Sequence, residues 1–408
     1  MTNRMFSMLT FFGPIFVLFL SELGLPKMRI GFLLSLLPLC GPLALFVAPA
    51  VARIGVKRTF LVCWTLRSAV TALFLLVPSV VSRYGADVTF AFVVALVLTF
   101  AILRAVGETA YYPWFQEMIP ASIRGRFSGV NNIFGLLATG GCLAAASYTI
   151  DHVPGIEGYV AVIGAGVLCG FVSILCVLPI PGGGPGRRMG TAPSRAMRSA
   201  VEDPNFRIYL AATGLAMMGG SSMVFTFVPL FMKEQVGLVE GQILLLQVST
   251  YCAGLLSCYL WGWAADRYGK PVVVWALGLM VILPLCWWAM PRHHDWSFAA
   301  GMAIAFLWGI VSTGWSVSEQ RLLYVEVIPP ENKTEYTAVY YAWIGLLGGL
   351  GPIMAGVLLD AFDGLSGRWL VLTVDSYTPV FLLGTALLAT SALIISRLRR
   401  TLAEGQRI

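Results

Sequence analysis

Apolar residues in this chain gather into blocks of roughly twenty, the length needed to carry a helix across a bilayer core. The blocks fall near residues 5–25, 31–52, 59–80, 87–115, 127–149, 158–179, 207–232, 241–265, 271–291, 297–324, 336–359 and 377–397. Helix-breaking punctuation stands at or near the gaps: Pro26, Gly55, Pro120, Pro154, the Pro179 to Pro185 cluster, Gly237, Gly269-Lys270-Pro271, Pro291 and Pro329-Pro330. The pattern predicts an all-α membrane protein with twelve transmembrane helices.

Composition agrees. Of 408 residues, 58% are hydrophobic and 12% charged, against about 25% charged in an ordinary soluble protein. That is too little charge to clothe a soluble surface of this size. The net charge of +7 is read through its placement. With the N-terminus in the cytoplasm, 19 Lys and Arg fall on that side and 6 on the other, which predicts a multi-pass protein of the plasma or inner membrane with both termini inside. The excess is therefore topological, and no nucleic-acid partner is expected. The first apolar run ends in Ser21-Glu22-Leu23-Gly24, which offers no small-residue cleavage site, so the first helix is expected to be retained. All eight cysteines lie in apolar runs without close pairing, as buried filler would.

The longest break starts at Pro179-Ile-Pro-Gly-Gly-Gly and continues to Asn205, separating six spans from six. Residues 1–180 and 207–400 are expected to form two pseudo-symmetric six-helix bundles, joined by a cytoplasmic linker (181–206) and followed by a tail (401–408). Within the linker, Ser194 to Asp203 could lie as a short basic helix on the anionic inner leaflet. The halves repeat one another. Glu117-x-x-Pro120-x-x-x-Arg124 recurs as Glu326-x-x-Pro329-x-x-x-Lys333, Asp151 maps onto Asp360, and Arg53-x-Gly55 onto Arg267-x-Gly269. Parallel six-helix repeats suit a transporter whose bundles rock about a central site.

At Gly262-Trp-Ala-Ala-Asp266-Arg267-Tyr-Gly269-Lys270 the chain resembles the major facilitator superfamily, and the resemblance extends over essentially its whole length. It implies that Asp266, Arg267, Gly269 and Lys270 steady the cytoplasmic closure of the bundles. The first-half loop keeps Arg53, Gly55, Lys57 and Arg58 but has Ala52 where the family carries an acid. Glu117, Arg124 and, at the outer end of span one, Glu22 complete the candidate gating set. Leu103-Arg104-Ala-Val-Gly107 is similar to the span-four arginine motif of proton-coupled members, with its glycine one position early. Gly345-x-x-Gly348-Gly349-x-Gly351-Pro352 is similar to the family's antiporter motif, although it stands in span eleven and not in span five.

Each ionisable group inside a bilayer costs at least about 2.5–3.5 kcal/mol and asks for a reason. Arg104 and Glu108 lie four apart on one helical face, as a coupling pair or a self-neutralising structural one. With Glu319 they are the candidate proton-coupling residues. Arg67, about two turns from the inner face, is expected to snorkel. Trp308, Ser312, Trp315 and Glu319 form one stripe, a carboxylate beneath aromatic faces that could hold a sugar ring or an amphipathic cation. Asn132, Gln247, Ser222, Phe225 and Tyr341 join Trp308 and Trp315 as substrate-binding candidates. Glu319 could instead pair with Arg321 or Lys333. His293-His294-Asp295 is read as a solvated turn, so neither metal nor cofactor is expected, and no constellation of catalytic groups suggests an enzyme.

These features predict a monomeric secondary transporter moving a small organic solute by alternating access, coupled to protons. Export of amphipathic compounds is slightly favoured, since ten of twelve tryptophans follow residue 260. Import of a sugar or organic anion by proton symport is the alternative, and a non-transporting membrane sensor is the alternative of another class.

Overall fold

The computed structural model describes residues 1–119, 124–153, 155–184, 200–329, 333–369 and 372–398. The expected basic linker helix, except its last residues, and the tail 401–408 lie outside these, as do the side chains of Ala52, Tyr112, Arg124, Asn132 and Lys333. The described chain is almost entirely helical. Its helices begin with α1 (Thr2–Leu9), α2 (Pro14–Glu22), α3 (Lys27–Leu39), α4 (Leu43–Ile54), α5 (Val56–Ala72), α6 (Val77–Met118), α7 (Arg124–His152) and α8 (Ile156–Val177). After the linker come α9 (Pro204–Ala216), α10 (Phe225–Phe231), α11 (Glu240–Tyr268), α12 (Lys270–Trp288), α13 (Ser297–Arg321), α14 (Lys333–Ala361) and α15 (Thr378–Ser396). A short antiparallel pair of strands, with Gly367 opposite Val374, precedes α15.

Among the described residues, ten segments are long and apolar enough to cross a membrane. The difference from twelve has a local cause in each case. Expected spans 59–80 and 87–115 fall in one 60-residue segment, Val56–Phe115. At 1.5 Å per residue a straight helix of that length would measure about 90 Å, roughly three bilayer cores. It does not run straight: Gly85, at φ 79° and ψ 179°, breaks the ladder inside α6, and α6 packs back along α5. The expected span 31–52 is divided at Cys40-Gly41-Pro42 into α3 and α4, of 13 and 12 residues. Pro38 and Pro42 lack the N–H that would continue the ladder, so turn bonds from Gly41 N to Pro38 O and from Leu43 N to Cys40 O take over.

Two compact units result, one of Met1–Thr191 with Phe227–Val248 and one of Ala192–Thr226 with Ser249–Ile408. In the first, Phe60, Cys63, Trp64, Ala110, Trp114 and Ile174 make a core where α5, α6 and α8 meet. In the second, a larger core gathers Phe206, Tyr209, Leu277, Met280, Trp308, Leu323, Tyr340 and Leu388 from α9, α12, α13 and the π-helical stretch after it, α14 and α15. Cysteine placement departs from expectation. Cys63 and Cys142 are buried, but Cys176, Cys252 and Cys258 are exposed on helix faces, where an apolar thiol suits lipid as well as a core.

Candidate functional site

The first span is not one helix. Gly13 is extended (φ −105°, ψ 175°), as the residue before a proline tends to be, and Pro14 opens α2 without an N–H to offer α1. Phe12 N reaches back to Ser7 O at 2.9 Å, one residue beyond the α-helical partner. A β-carbon on Gly13 would stand 2.4 Å from Met8 O, so the tight passage requires glycine. The break turns the Phe12 ring outward, and the Arg104 guanidinium lies over it, 4.6 Å from the centroid. Arg104 Nε donates to Glu108 Oε1 at 2.9 Å, and both side chains are only partly buried. The sequence-predicted pair is thus formed, on an accessible face of α6 beside a discontinuous helix.

Arg67 does not snorkel; it is 2% exposed. Its guanidinium sits 4.0 Å from the Trp64 ring centroid and 4.4 Å from that of Phe6, and its Nη2 donates to Asn3 Oδ1 at 2.5 Å. Trp64 Nε1 donates to the same oxygen at 3.2 Å. Aromatic faces and one amide hold this cation inside the protein, so its stem need not reach for the membrane surface. It lies close enough to interact electrostatically with Glu108 and Arg104. Gly107 sets the approach of α6 to α5, since a β-carbon there would meet the Trp64 ring at 2.1 Å. Asn3 escaped sequence reasoning because an amide near the chain start carries no signal until α1 is packed on α5.

In the second unit Glu319 is 4% exposed and pairs with neither Arg321 nor any other cation among the described residues. Tyr209 of α9 and Tyr340 of α14 both donate to its Oε1, the latter at 2.8 Å. Trp308 and Phe225 stack in parallel, centroids 5.1 Å apart, and Trp308 is 3% exposed, so packing is what the pair does here. Ser222 is buried where α14 crosses the π-helical stretch Met217–Val224, against Gly348 and Gly351. Trp315 is half-buried, while Tyr341 is open, with its hydroxyl 3.4 Å from that of Tyr324. Gln247 is half-buried and belongs to the first unit, so the substrate candidates do not gather in one unit.

The candidate gating residues separate into clusters. Asp266 accepts from Arg321 Nε at 3.0 Å, and Arg321 Nη1 donates to Glu326 Oε1 at 3.1 Å. Gly269, at φ +60°, brings its backbone against the same carboxylate; a β-carbon would stand 2.8 Å from Glu326 Oε1. Arg267 turns away to the rings of Trp263 and Tyr268. Lys270 Nζ caps the end of α15, donating to Ser396 O at 2.7 Å and Leu398 O at 2.5 Å. Lys57 repeats this in the first half, donating to Leu178 O and Ile180 O just past α8 at 3.0 and 2.5 Å. A cation at a helix C-terminus complements the exposed carbonyls. Glu117 accepts from Gly183 N at 3.0 Å, and Arg53 is exposed. Glu22 joins a different cluster, wholly within the first unit. Lys233 bridges Glu22 at 2.9 Å and Glu240 at 2.5 Å, Lys27 pairs with Glu234 at 2.8 Å, and Asp151 accepts from Gly241 N at the start of α11 at 3.1 Å.

Similarity to known proteins follows the fold. The chain is similar to the nucleoside transporter NupG (15% identity, 97% of this chain and 96% of that one, TM-score 0.70). It is likewise similar to a bacterial homologue of the iron transporter ferroportin in an inward-facing state (11%, 97% and 95%, TM-score 0.73). The xylose transporter XylE from E. coli, partially occluded and inward open, gives 12%, 100% and 97%, with TM-score 0.69. These likenesses show the fold alone. By sequence, the chain is 22% identical over 186 residues to Autophagy-related protein 22-2 of Emericella nidulans, covering 42% of this chain. The match takes in 30% of that relative's length. The profile described as Major Facilitator Superfamily matches residues 3–352, and with that extent of agreement the chain belongs to the Major Facilitator Superfamily.

Proposed function

We propose that the protein is a secondary transporter of small organic solutes, working by alternating access and coupled to protons through Arg104 and Glu108. The observation that carries this reading is the ion pair beside the broken first span. Irregular backbone at membrane depth is tolerated where it lines a cavity, and a partly open charge pair next to it supports a passage for an ion or solute there. Protonation of Glu108 removes the anion that holds Arg104. The freed guanidinium then offers its donors to the cavity, so proton and solute occupancy become linked. The cluster of Glu22, Lys27, Lys233, Glu234 and Glu240 serves in this scheme as the outer gate, and Asp266, Gly269, Arg321 and Glu326 as the inner one. NupG and XylE are named as transporters of a nucleoside and of xylose, and transport of an organic solute is the part of their description carried over. Export of amphipathic compounds is the favoured direction, given the aromatic second half.

The test is flux in proteoliposomes against a solute panel, with and without a pH gradient. Wild-type protein is expected to move protons when driven by a solute gradient. Glu108→Gln is expected to abolish that proton flux while solute exchange without net proton movement continues. Proton flux at the wild-type rate in Glu108→Gln sinks the coupling scheme.

A further inference from the structure

We propose that Glu319 and the tyrosines around it form a binding site for an organic cation, an amine or quaternary ammonium with apolar substituents. The inference rests on the transporter reading above and names the substrate class for its second half.

Glu319 is a carboxylate inside a span, and its two oxygens are used unequally. Oε1 accepts from both Tyr209 and Tyr340. Among the described residues no hydrogen bond is donated to Oε2, and it is not one of the sealed polar atoms lacking a partner, as Trp287 Nε1 of the same unit is. Arg321, two residues further on, is committed to Asp266 and Glu326. Two phenols soften a buried negative charge but do not neutralise it, and an uncompensated carboxylate within a span is costly. In the first unit, by contrast, Glu108 already has Arg104.

A path of aromatic rings leads from this carboxylate to the surface of the unit. The Tyr340 ring meets Tyr341 edge to face at 5.1 Å. Tyr341 in turn faces Tyr324 across 3.4 Å between hydroxyls, and these two residues are 56% and 42% exposed. Trp315, one turn before Glu319 on α13, is half-buried in the same core. Aromatic faces with a carboxylate at their end recognise a cation carrying methyl or methylene groups: the charge seeks Oε2 and the carbon substituents lie on the rings. An organic anion would be repelled by Glu319. A hard metal ion would want six or more oxygen ligands, where this site has one carboxylate among phenols.

The experiment measures equilibrium binding of radiolabelled benzyltrimethylammonium to the purified full-length protein, with neopentylbenzene, its uncharged carbon isostere, as competitor. Wild-type protein is expected to bind the cation saturably, and the isostere at equal aqueous concentration to leave it bound. Glu319→Gln is expected to weaken binding about tenfold or more, the loss typical of a central charged contact. Tyr341→Phe should bind like wild type and Tyr341→Ala several-fold more weakly, because the ring face and not the hydroxyl is used. If Glu319→Gln does not yield folded protein, the Tyr341 pair and the isostere decide. Absence of saturable binding, equal displacement by the isostere, or undiminished binding in folded Glu319→Gln overturns the proposal. Flux is read separately. Transport of some panel solute without cation binding overturns this site and leaves the transporter reading standing. Cation binding through Glu319 with no flux of any solute upholds the site and sinks the transporter reading.

Discussion

Asn3 shows how much can hang on one amide. Its Oδ1 accepts from both Arg67 and Trp64, and Arg67 is the most deeply buried cation of the first unit among the described residues. Replacing Asn3 by Ala leaves a buried guanidinium short of an acceptor, at a cost of about 1–3 kcal/mol. Thermal unfolding of the purified protein should fall for Asn3→Ala and recover with Asn3→Asp, which restores an acceptor and adds a countercharge. A melting temperature equal to wild type in Asn3→Ala would mean that Arg67 finds its stabilisation in the aromatic rings alone. The Arg104–Glu108 pair was readable from spacing, because i and i+4 share a face in any helix. The burial of Arg67 was not, because it depends on rings supplied by α1 and α6 as well as α5.

Elements in this protein are interrupted where hydropathy runs on unbroken. Residues 5–25 read as one apolar span, yet the chain leaves the helix at Thr10 and resumes at Pro14. The corresponding span of the second half carries a π-helical stretch at Met217–Val224, and another, Leu322–Val327, follows Glu319. Such departures from i→i−4 bonding are frequent at functional sites. Gly13→Ala would press a methyl group against Met8 O, so α1 and α2 must shift and carry Phe12 away from Arg104. The expected outcome is a loss of stability of about 1–3 kcal/mol, typical of overpacking, together with a fall in flux. Unaltered melting and flux would show that the break is loose and unconnected with Arg104. Gly-Pro at residues 13 and 14 was the available signal for the break, and a count of apolar residues passes over it because both residues are compatible with a membrane span.

At the scale of the molecule, chain order and packing part company. Phe227–Val248 belongs by sequence to the second repeat, yet it packs into the first unit. Lys27 with Glu234, Glu22 with Lys233 and Asp151 with Gly241 N are among the polar contacts that tie it there. Lys27→Glu and Glu234→Lys should each destabilise the protein by setting like charges opposite one another. The double reversal should recover most of the loss, with a coupling of about 1 kcal/mol at this partial exposure. Flux should follow the same pattern if the cluster is the outer gate. Additive effects in the double variant would remove the pair from the argument. The repeat itself was visible in Glu117 and Glu326, but their partners differ. Glu117 holds the backbone at Gly183, whereas Glu326 holds Arg321, for which the first half offers no counterpart among the described residues.

Sequence by itself determined the class of protein and its membrane-spanning helical character, because a bilayer imposes its demands locally: each stretch of about twenty residues must be apolar and must satisfy its own backbone. It also determined which charges stand inside spans. Tertiary structure decided what those charges do. Arg67 became a packed cation, Glu319 a carboxylate met among the described residues by two phenols, and Arg321 the partner of Asp266. Side-chain partners come from helices far apart in the chain. Periodicity says which face a residue occupies and nothing about what faces it.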